Sequence, residues 1–177
     1  MKNIVLIGMS GSGKSTVGKY IAEEMNMEFL DTDDIIVSNI GKDINYIFNN
    51  YGESYFREIE KLIISTLSKK SNLIIATGGG VVLNSINIER LKKTSSIFFL
   101  NGSLETLYNN IKSSKGSNGQ RPLLDKANLK ESIEKIYNAR KDLYLSSGNY
   151  IISIDGKTVE KVGNEIITIF KENNPCP

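Results

Sequence analysis

The residues with the clearest capacity for chemistry lie near the N-terminus, in the stretch GMSGSGKS. Gly8 is followed by four variable positions, a second glycine at Gly13, then Lys14 and Ser15. Between a strand and a helix, such a loop directs several backbone N–H groups toward one anion, and the helix dipole favours negative charge there. Lys14 would reach the β- and γ-phosphates of a nucleotide, and the Ser15 hydroxyl would bind Mg²⁺. The pattern predicts a phosphate-binding loop.

Two carboxylates in the stretch FLDTDD are the next candidates. Asp31 and Asp33 flank Thr32 at the end of a second predicted strand, and this end of an open α/β sheet is where ligands bind. If the segment stays extended, the two side chains point the same way. One could serve a metal through water while the other accepts a proton from a substrate hydroxyl. The alternative is that Asp31 or Asp33 only caps the following helix.

Three consecutive glycines, Gly78, Gly79 and Gly80, follow a third apolar run. A turn that starts a helix explains one glycine but not three. We therefore expect a ligand to approach this backbone so closely that any Cβ atom would occupy the ligand's volume.

Arginine is scarce, and three positions stand out. Arg57 and Glu60 are three residues apart on a predicted helix and can pair. Arg121 ends a loop rich in glycine and serine, and Arg140 lies in the helical stretch NARKDLY. Planar guanidinium groups suit carboxylates and phosphates, whereas a surface salt bridge is the alternative.

Strands and helices alternate along the chain, which predicts a parallel sheet covered on both faces. Apolar runs predict five strands, at residues 3–8, 28–33, 72–77, 95–100 and 150–154. Helical spacing of apolar residues and glycine stops predict helices at 14–26, 33–41, 43–52, 53–70, 103–113, 128–147 and 158–173.

Composition limits the chemistry. The 177 residues are 40% hydrophobic and 24% charged with a formal net charge of +2, which fits one globular domain without a strong field for nucleic acid or membrane. There is no histidine, and Cys176 is the single cysteine, which excludes a histidine base, an intrachain disulfide and a cysteine metal cluster. The apolar N-terminal run is too short for a signal peptide, so we expect a cytoplasmic protein.

The ordered motifs GMSGSGKST, DTD, FREIE, TGGG, RPLL and NARKDLY together resemble the shikimate kinase family. The resemblance spans the chain from Lys2 to about Phe170. It implies an α/β P-loop fold of the nucleoside-monophosphate-kinase type, with a five-stranded parallel sheet in the order 2-3-1-4-5, helices on both faces and a mobile lid. It also implies transfer of a phosphoryl group from ATP to the 3-hydroxyl of shikimate, in the route to chorismate and the aromatic amino acids.

The resemblance assigns a role to each candidate. Lys14, Asp33 and Arg121 are the implied catalytic residues, and Ser15 and Asp31 the implied Mg²⁺ site. The implied ATP-binding residues are Gly11, Ser12, Gly13, Lys14, Ser15, Thr16, Arg121 and Lys157. The implied shikimate-binding residues are Asp33, Arg57, Glu60, Gly78, Gly79, Gly80 and Arg140.

The resemblance also divides the chain into functional regions. Residues 1–172 form one domain, with substrate-binding helices at about 32–68 and the lid at about 112–126, and 173–177 form a frayed tail. A monomer with no partner besides shikimate and ATP is expected. Many members carry an arginine at the start of the lid, where this chain has only Lys112 and Lys115, so the adenine contacts are left open.

Two other readings remain open at this point. The first is a related kinase of the same fold, acting on gluconate or a nucleotide; a nucleotide acceptor would also want arginines for its phosphate. The second is a nucleotide-binding module without catalysis, which the intact Lys14, Ser15 and Asp33 disfavour.

Overall fold

Five parallel strands form one sheet in the order β2-β3-β1-β4-β5 in the computed structural model, which describes residues 2–114, 121–125 and 127–174. The order is the predicted one. The strands are β1 (Asn3–Ile7), β2 (Glu28–Asp31), β3 (Leu73–Ala76), β4 (Ser95–Asn101) and β5 (Tyr150–Ser153).

Helices connect the strands and cover the sheet. In the described ranges they are α1 (Lys14–Met25), α2 (Thr32–Ile40), α3 (Ile44–Leu67), α4 (Ser85–Thr94), α5 (Leu104–Ser113), α6 (Leu129–Ser147) and α7 (Val159–Asn173). A short 3₁₀ turn, Val81–Leu83, follows β3. Within those ranges, none of the helices has the length and apolar character needed to cross a bilayer.

The centre of the sheet is the core of the molecule. Every residue of β1 and β3 is buried, as the apolar runs Ile4–Ile7 and Leu73–Ala76 predict for strands covered on both faces. The register pairs Leu6 of β1 and Asp31 of β2 with the same residue of β3, Ala76. The carboxyl ends of these three strands therefore coincide, and the loops that follow them are neighbours.

Apart from small shifts at element ends, two helices differ from the predictions. The helices predicted at 43–52 and 53–70 form a single segment, α3, with a break at Gly52, where φ is 82° and ψ is 166°. Helix α4 was not predicted at all. The last helix ends at Asn173, as predicted, and the Asn174 side chain donates to the Phe170 carbonyl; residues 175–177 of the predicted tail lie outside the described ranges.

Candidate active site

The loop after β1 has the geometry expected of a phosphate-binding loop. Gly13 precedes α1 with a φ of 83°, a left-handed conformation that glycine adopts without strain. The Lys14 Nζ donates to the carbonyls of Gly8 and Met9 at 2.9 and 2.8 Å, so the ammonium group lies against the loop backbone. Burial lowers the pKa of Lys14 to about 8, although the nearby Asp31 and Asp33 oppose this shift.

Asp31 links this loop to the end of β2. Its Oδ2 accepts a hydrogen bond of 2.6 Å from the Ser15 hydroxyl, while its Oδ1 accepts from the Asp33 N–H at 2.9 Å and caps α2. The hydroxyl and carboxylate oxygens are the hard donors that Mg²⁺ prefers, and Mg²⁺ usually takes one or two carboxylates together with substrate phosphates. The donors present therefore fit Mg²⁺. Elsewhere in the described ranges no acidic, histidine or cysteine cluster could hold a metal alone.

Asp33 lies in the first turn of α2, which corrects one prediction. The segment after Asp31 does not stay extended, so Asp31 and Asp33 do not share one strand face. The capping alternative holds for Asp31 only. Instead, the Oδ1 atom of Asp33 is buried and has no hydrogen-bond partner among the described residues. Burial raises the pKa of Asp33 to about 7, and the negative charges of Asp31 and Glu60 add to the effect.

The three glycines follow β3 directly beside Asp33. A Cβ added at Gly78 would lie 2.7 Å from the Asp33 Oδ1, and one added at Gly80 would lie 2.3 Å from both terminal nitrogens of Arg57. A Cβ at Gly79 would make only ordinary contacts, at 3.5 Å or more. At Gly78 and Gly80 the space that a Cβ atom would need is therefore occupied by side chains of the protein itself. This corrects the expectation that a ligand alone occupies that space.

Arg57 is held between two carboxylates of α3. Its NH1 donates to the Glu60 Oε2 at 3.0 Å, as the spacing predicted, and its Nε and NH2 both donate to the Glu53 Oε1, at 3.1 and 2.9 Å. Glu60 is buried, and burial raises its pKa although Arg57 opposes this. Glu53 is 44% exposed, so Arg57 pairs with one buried and one solvent-exposed carboxylate.

Arg140 reaches the glycines from α6. Its NH1 donates to the Gly79 carbonyl oxygen at 3.2 Å. The hydroxyl of Tyr144, one turn later on the same helix, donates to the same oxygen. The motif NARKDLY therefore contributes two side chains to this loop, of which only Arg140 was predicted.

A cleft joins these groups. Its polar lining comes from Asp33, Arg57, Arg121, Arg140 and the glycines 78–80, and apolar side chains of α3, α6 and residues 122–124 complete it. Arg121, which also donates to the Ser114 hydroxyl at 3.2 Å, lies on the side of the cleft formed by the predicted lid.

Comparison with known proteins identifies the family. The model of the shikimate kinase family matches residues 10–171. The chain belongs to the shikimate kinase family. It is 41% identical over 171 residues to a shikimate kinase of Thermodesulfovibrio yellowstonii, covering 97% of this chain and 96% of the relative. A shikimate kinase of Caldanaerobacter subterraneus is 39% identical over 170 residues, or 96% of each chain.

A solved shikimate kinase has the same fold. The enzyme of Acinetobacter baumannii in complex with shikimate superposes with a TM-score of 0.92 at 30% identity, covering 99% of this chain and 96% of that one. Shikimate kinases use ATP as the phosphoryl donor. The fold prediction, made from ordered short motifs, is therefore confirmed.

The remaining predicted residues of this shikimate kinase lie outside the cleft. Gly11, Ser12, Lys14, Ser15 and Thr16 surround the start of α1, where Ser15 and Thr16 are exposed. They form a second region next to the cleft, since Met9 and Ser10 of the same loop line it.

Lys157 pairs with a carboxylate of the protein itself. It lies after β5, and its Nζ pairs with the Glu165 carboxylate of α7 at 2.5 Å. Its assignment to ATP stays a prediction. Of the predicted lid, 115–120 and 126 lie outside the described ranges; Lys112 is still part of α5, with its Nζ 5.9 Å from the Tyr108 ring centre.

Glu53 and Tyr144 are the contacts that the sequence analysis missed. The four-residue spacing from Glu53 to Arg57 is a signal for pairing on one helix and could have been used. Tyr144 follows Arg140 by one turn, which places both on one face of α6, but its acceptor is remote in sequence.

Proposed function

We infer that this shikimate kinase transfers the γ-phosphoryl group of ATP to the 3-hydroxyl of shikimate, giving shikimate 3-phosphate and ADP. One observation carries the inference within the family. A carboxylate, Asp33, and two guanidinium groups, Arg57 and Arg140, line one cleft beside a phosphate-binding loop. An acceptor with both a carboxylate and hydroxyl groups matches this set, because guanidinium groups bind carboxylates and a carboxylate accepts from hydroxyls.

Arg57 and Arg140 hold the carboxylate of shikimate in this proposal. Glu60 orients Arg57, and the glycine loop supports the ring. The Gly79 N–H, which has no acceptor within the described part of the chain, donates to the substrate. Holding the ring at two ends fixes the 3-hydroxyl in position, which is how kinases gain most of their rate.

Asp33 accepts the proton of the 3-hydroxyl as the oxygen attacks the γ-phosphorus. The bond from that phosphorus to the bridging oxygen breaks, and ADP leaves with the bonding electrons. Lys14 and Arg121 offset the negative charge that is spread over the transferring group. Closure of the lid that carries Arg121 would exclude water, which otherwise competes with shikimate as the acceptor.

Ser15 and Asp31 would hold Mg²⁺ together with the ATP phosphates. Held there, the ion would supply positive charge that offsets the negative charge of the phosphates. The Gly11–Thr16 backbone would hold the phosphates themselves. The monomeric state, the cytoplasmic location and the absence of nucleic-acid partners stay predictions.

The test is an ADP-release assay with ATP and Mg²⁺ over a panel of acceptors: shikimate, gluconate and several nucleoside monophosphates. Turnover with shikimate alone, and a product identified as the 3-phosphate by phosphorus NMR, is the expected result. Turnover with gluconate or a nucleotide in place of shikimate would favour the related-kinase alternative. ATP binding without turnover of any acceptor would favour the non-catalytic alternative.

A further inference from the structure

Tyr144 is a buried side chain that the proposed mechanism does not use. It is fully buried on α6, and its ring stacks on Phe99 of β4 with centroids 5.1 Å apart and an interplanar angle of 14°. Its hydroxyl donates to the Gly79 carbonyl, and burial raises the pKa of Tyr144 to about 12. The hydroxyl therefore keeps its proton, and remains a donor, throughout the neutral range.

The glycine loop needs external contacts to hold one conformation, because three glycines in a row have unusual backbone freedom and lose more entropy on ordering than other residues. The Val81 N–H donates to the Gly78 carbonyl at 3.1 Å, which fixes the peptide unit between Gly78 and Gly79. The next peptide unit, between Gly79 and Gly80, is fixed through the Gly79 carbonyl. Only side chains of α6, Tyr144 and Arg140, donate to that oxygen among the described residues.

Both lone pairs of the Gly79 oxygen are thus engaged, one by Tyr144 and one by Arg140. The shared acceptor couples the position of the Arg140 guanidinium to the orientation of the loop. The phenol is the more rigid of the two donors, since its ring is stacked and fully buried, whereas Arg140 is a long and partly exposed side chain.

We propose that Tyr144 is a positioning residue for the acceptor substrate: its hydroxyl fixes the Gly79–Gly80 peptide unit and thereby presents the glycine loop and Arg140 to shikimate in one arrangement. The proposal rests on the proposed function. Tyr144 itself does not touch the reacting atoms. Its contribution is to lower the cost of ordering the loop when the acceptor binds.

The decisive variant is Tyr144→Phe, which keeps the stacked ring and removes only the hydroxyl. The KM for shikimate should rise about threefold to tenfold, the range expected for one hydrogen bond, while kcat and the KM for ATP stay within about twofold. Tyr150→Phe is the matched control, because the Tyr150 ring stacks on Phe98 of the same strand at 4.9 Å. It should leave every constant unchanged.

If the Tyr144 hydroxyl served only to stabilise the fold, kcat and the two KM values would change in another way. Its loss would lower the active fraction, so that kcat falls with both KM values unchanged, or would weaken both substrates together. Either result, or an unchanged KM for shikimate, would overturn the proposal. Replacing Tyr144 by p-aminophenylalanine, a weaker donor at the same place, should give a KM between those of the wild type and Tyr144→Phe. If Tyr144→Phe does not fold, this variant alone decides, by a raised KM for shikimate with that for ATP unchanged.

Turnover of shikimate by the wild-type protein distinguishes a failure of this proposal from a failure of the proposed function. If the wild type does not phosphorylate shikimate, the proposed function fails before any variant is compared. If it does, the comparison between Tyr144→Phe and Tyr150→Phe depends on the role of the hydroxyl alone.

Discussion

At the scale of single residues, the position of the Asp33 carboxylate lowers the stability of the folded protein. Asp33 is a sheltered carboxylate with an unpartnered Oδ1, close to Asp31 and Glu60. Burying such a charge is unfavourable, and the raised pKa expresses that cost. Proteins tolerate such groups mainly where chemistry needs them, and a carboxylate with a pKa of about 7 suits proton acceptance from a hydroxyl.

The substitution Asp33→Asn tests two consequences of burying this carboxylate, one for turnover and one for stability. Turnover with shikimate should fall at least about 100-fold, because general-base catalysis is worth about 10²–10⁴. Stability at pH 8 should rise by about 1–2 kcal/mol, or roughly 2–8 °C in Tm, since the amide carries no charge. A folded-state pKa raised from 3.8 to about 7 means that the wild type loses stability as the pH rises through this range. The Tm difference should therefore shrink toward pH 4.

Asp34→Asn is the control for this substitution, because Asp34 is the exposed neighbour on the same turn of α2. It should retain full turnover. Full activity in Asp33→Asn, or a Tm that falls at pH 8, would contradict the role given to the buried carboxylate.

The pH dependence follows from the same residue. At saturating ATP, kcat/KM for shikimate should decline as the pH is lowered through about 7, where Asp33 becomes protonated and can no longer accept a proton. Initial rates between pH 5.5 and pH 8 would measure this limb. A flat profile over that range would mean that Asp33 is not the group that must be ionised.

At the scale of elements, the strands and most helices follow from apolar periodicity, but two features do not. Helix α4 has a weak apolar pattern, since Ile88 and Leu91 are buried while Ile86 is 43% exposed and the polar Asn87 is buried. Asn84, which caps α4, was the residue that could have indicated the start of this helix. The helical start at Thr32 was also missed, because the cap that Asp31 provides depends on where β2 ends.

The packing of the glycine loop against α3 gives an element-scale prediction. Gly80→Ala should displace the Arg57 guanidinium, because the new Cβ would lie 2.3 Å from its terminal nitrogens. The KM for shikimate should rise at least about tenfold, as expected when a charged contact worth about 1.5–3 kcal/mol is lost. Gly79→Ala is the comparison, since its Cβ would meet protein atoms only at 3.5 Å or more.

The two glycine variants distinguish two reasons for the glycine run. If protein side chains require it, Gly80→Ala should impair shikimate binding much more than Gly79→Ala. If the ligand alone requires it, as the sequence suggested, both should impair binding about equally. Steady-state kinetics in shikimate, with Tm as the folding control, measures the difference.

At the scale of the whole molecule, topology brings the site together. The strand order places β1 between β3 and β4 and aligns the ends of β1, β2 and β3. The phosphate loop, Asp31 and the glycines follow these three ends, so local motifs far apart in sequence become neighbours. Motif order was enough to predict this arrangement. Contacts such as Tyr144 to Gly79 were not predictable, because they depend on how α6 packs over the loop.

The measurement that tests the central claim most directly is a crystal structure of this protein with shikimate and ADP. We expect the shikimate carboxylate to contact Arg57 and Arg140 and the 3-hydroxyl to contact Asp33, with the ADP β-phosphate at the loop before α1. Well-defined shikimate bound away from Asp33 and both arginines would contradict the account.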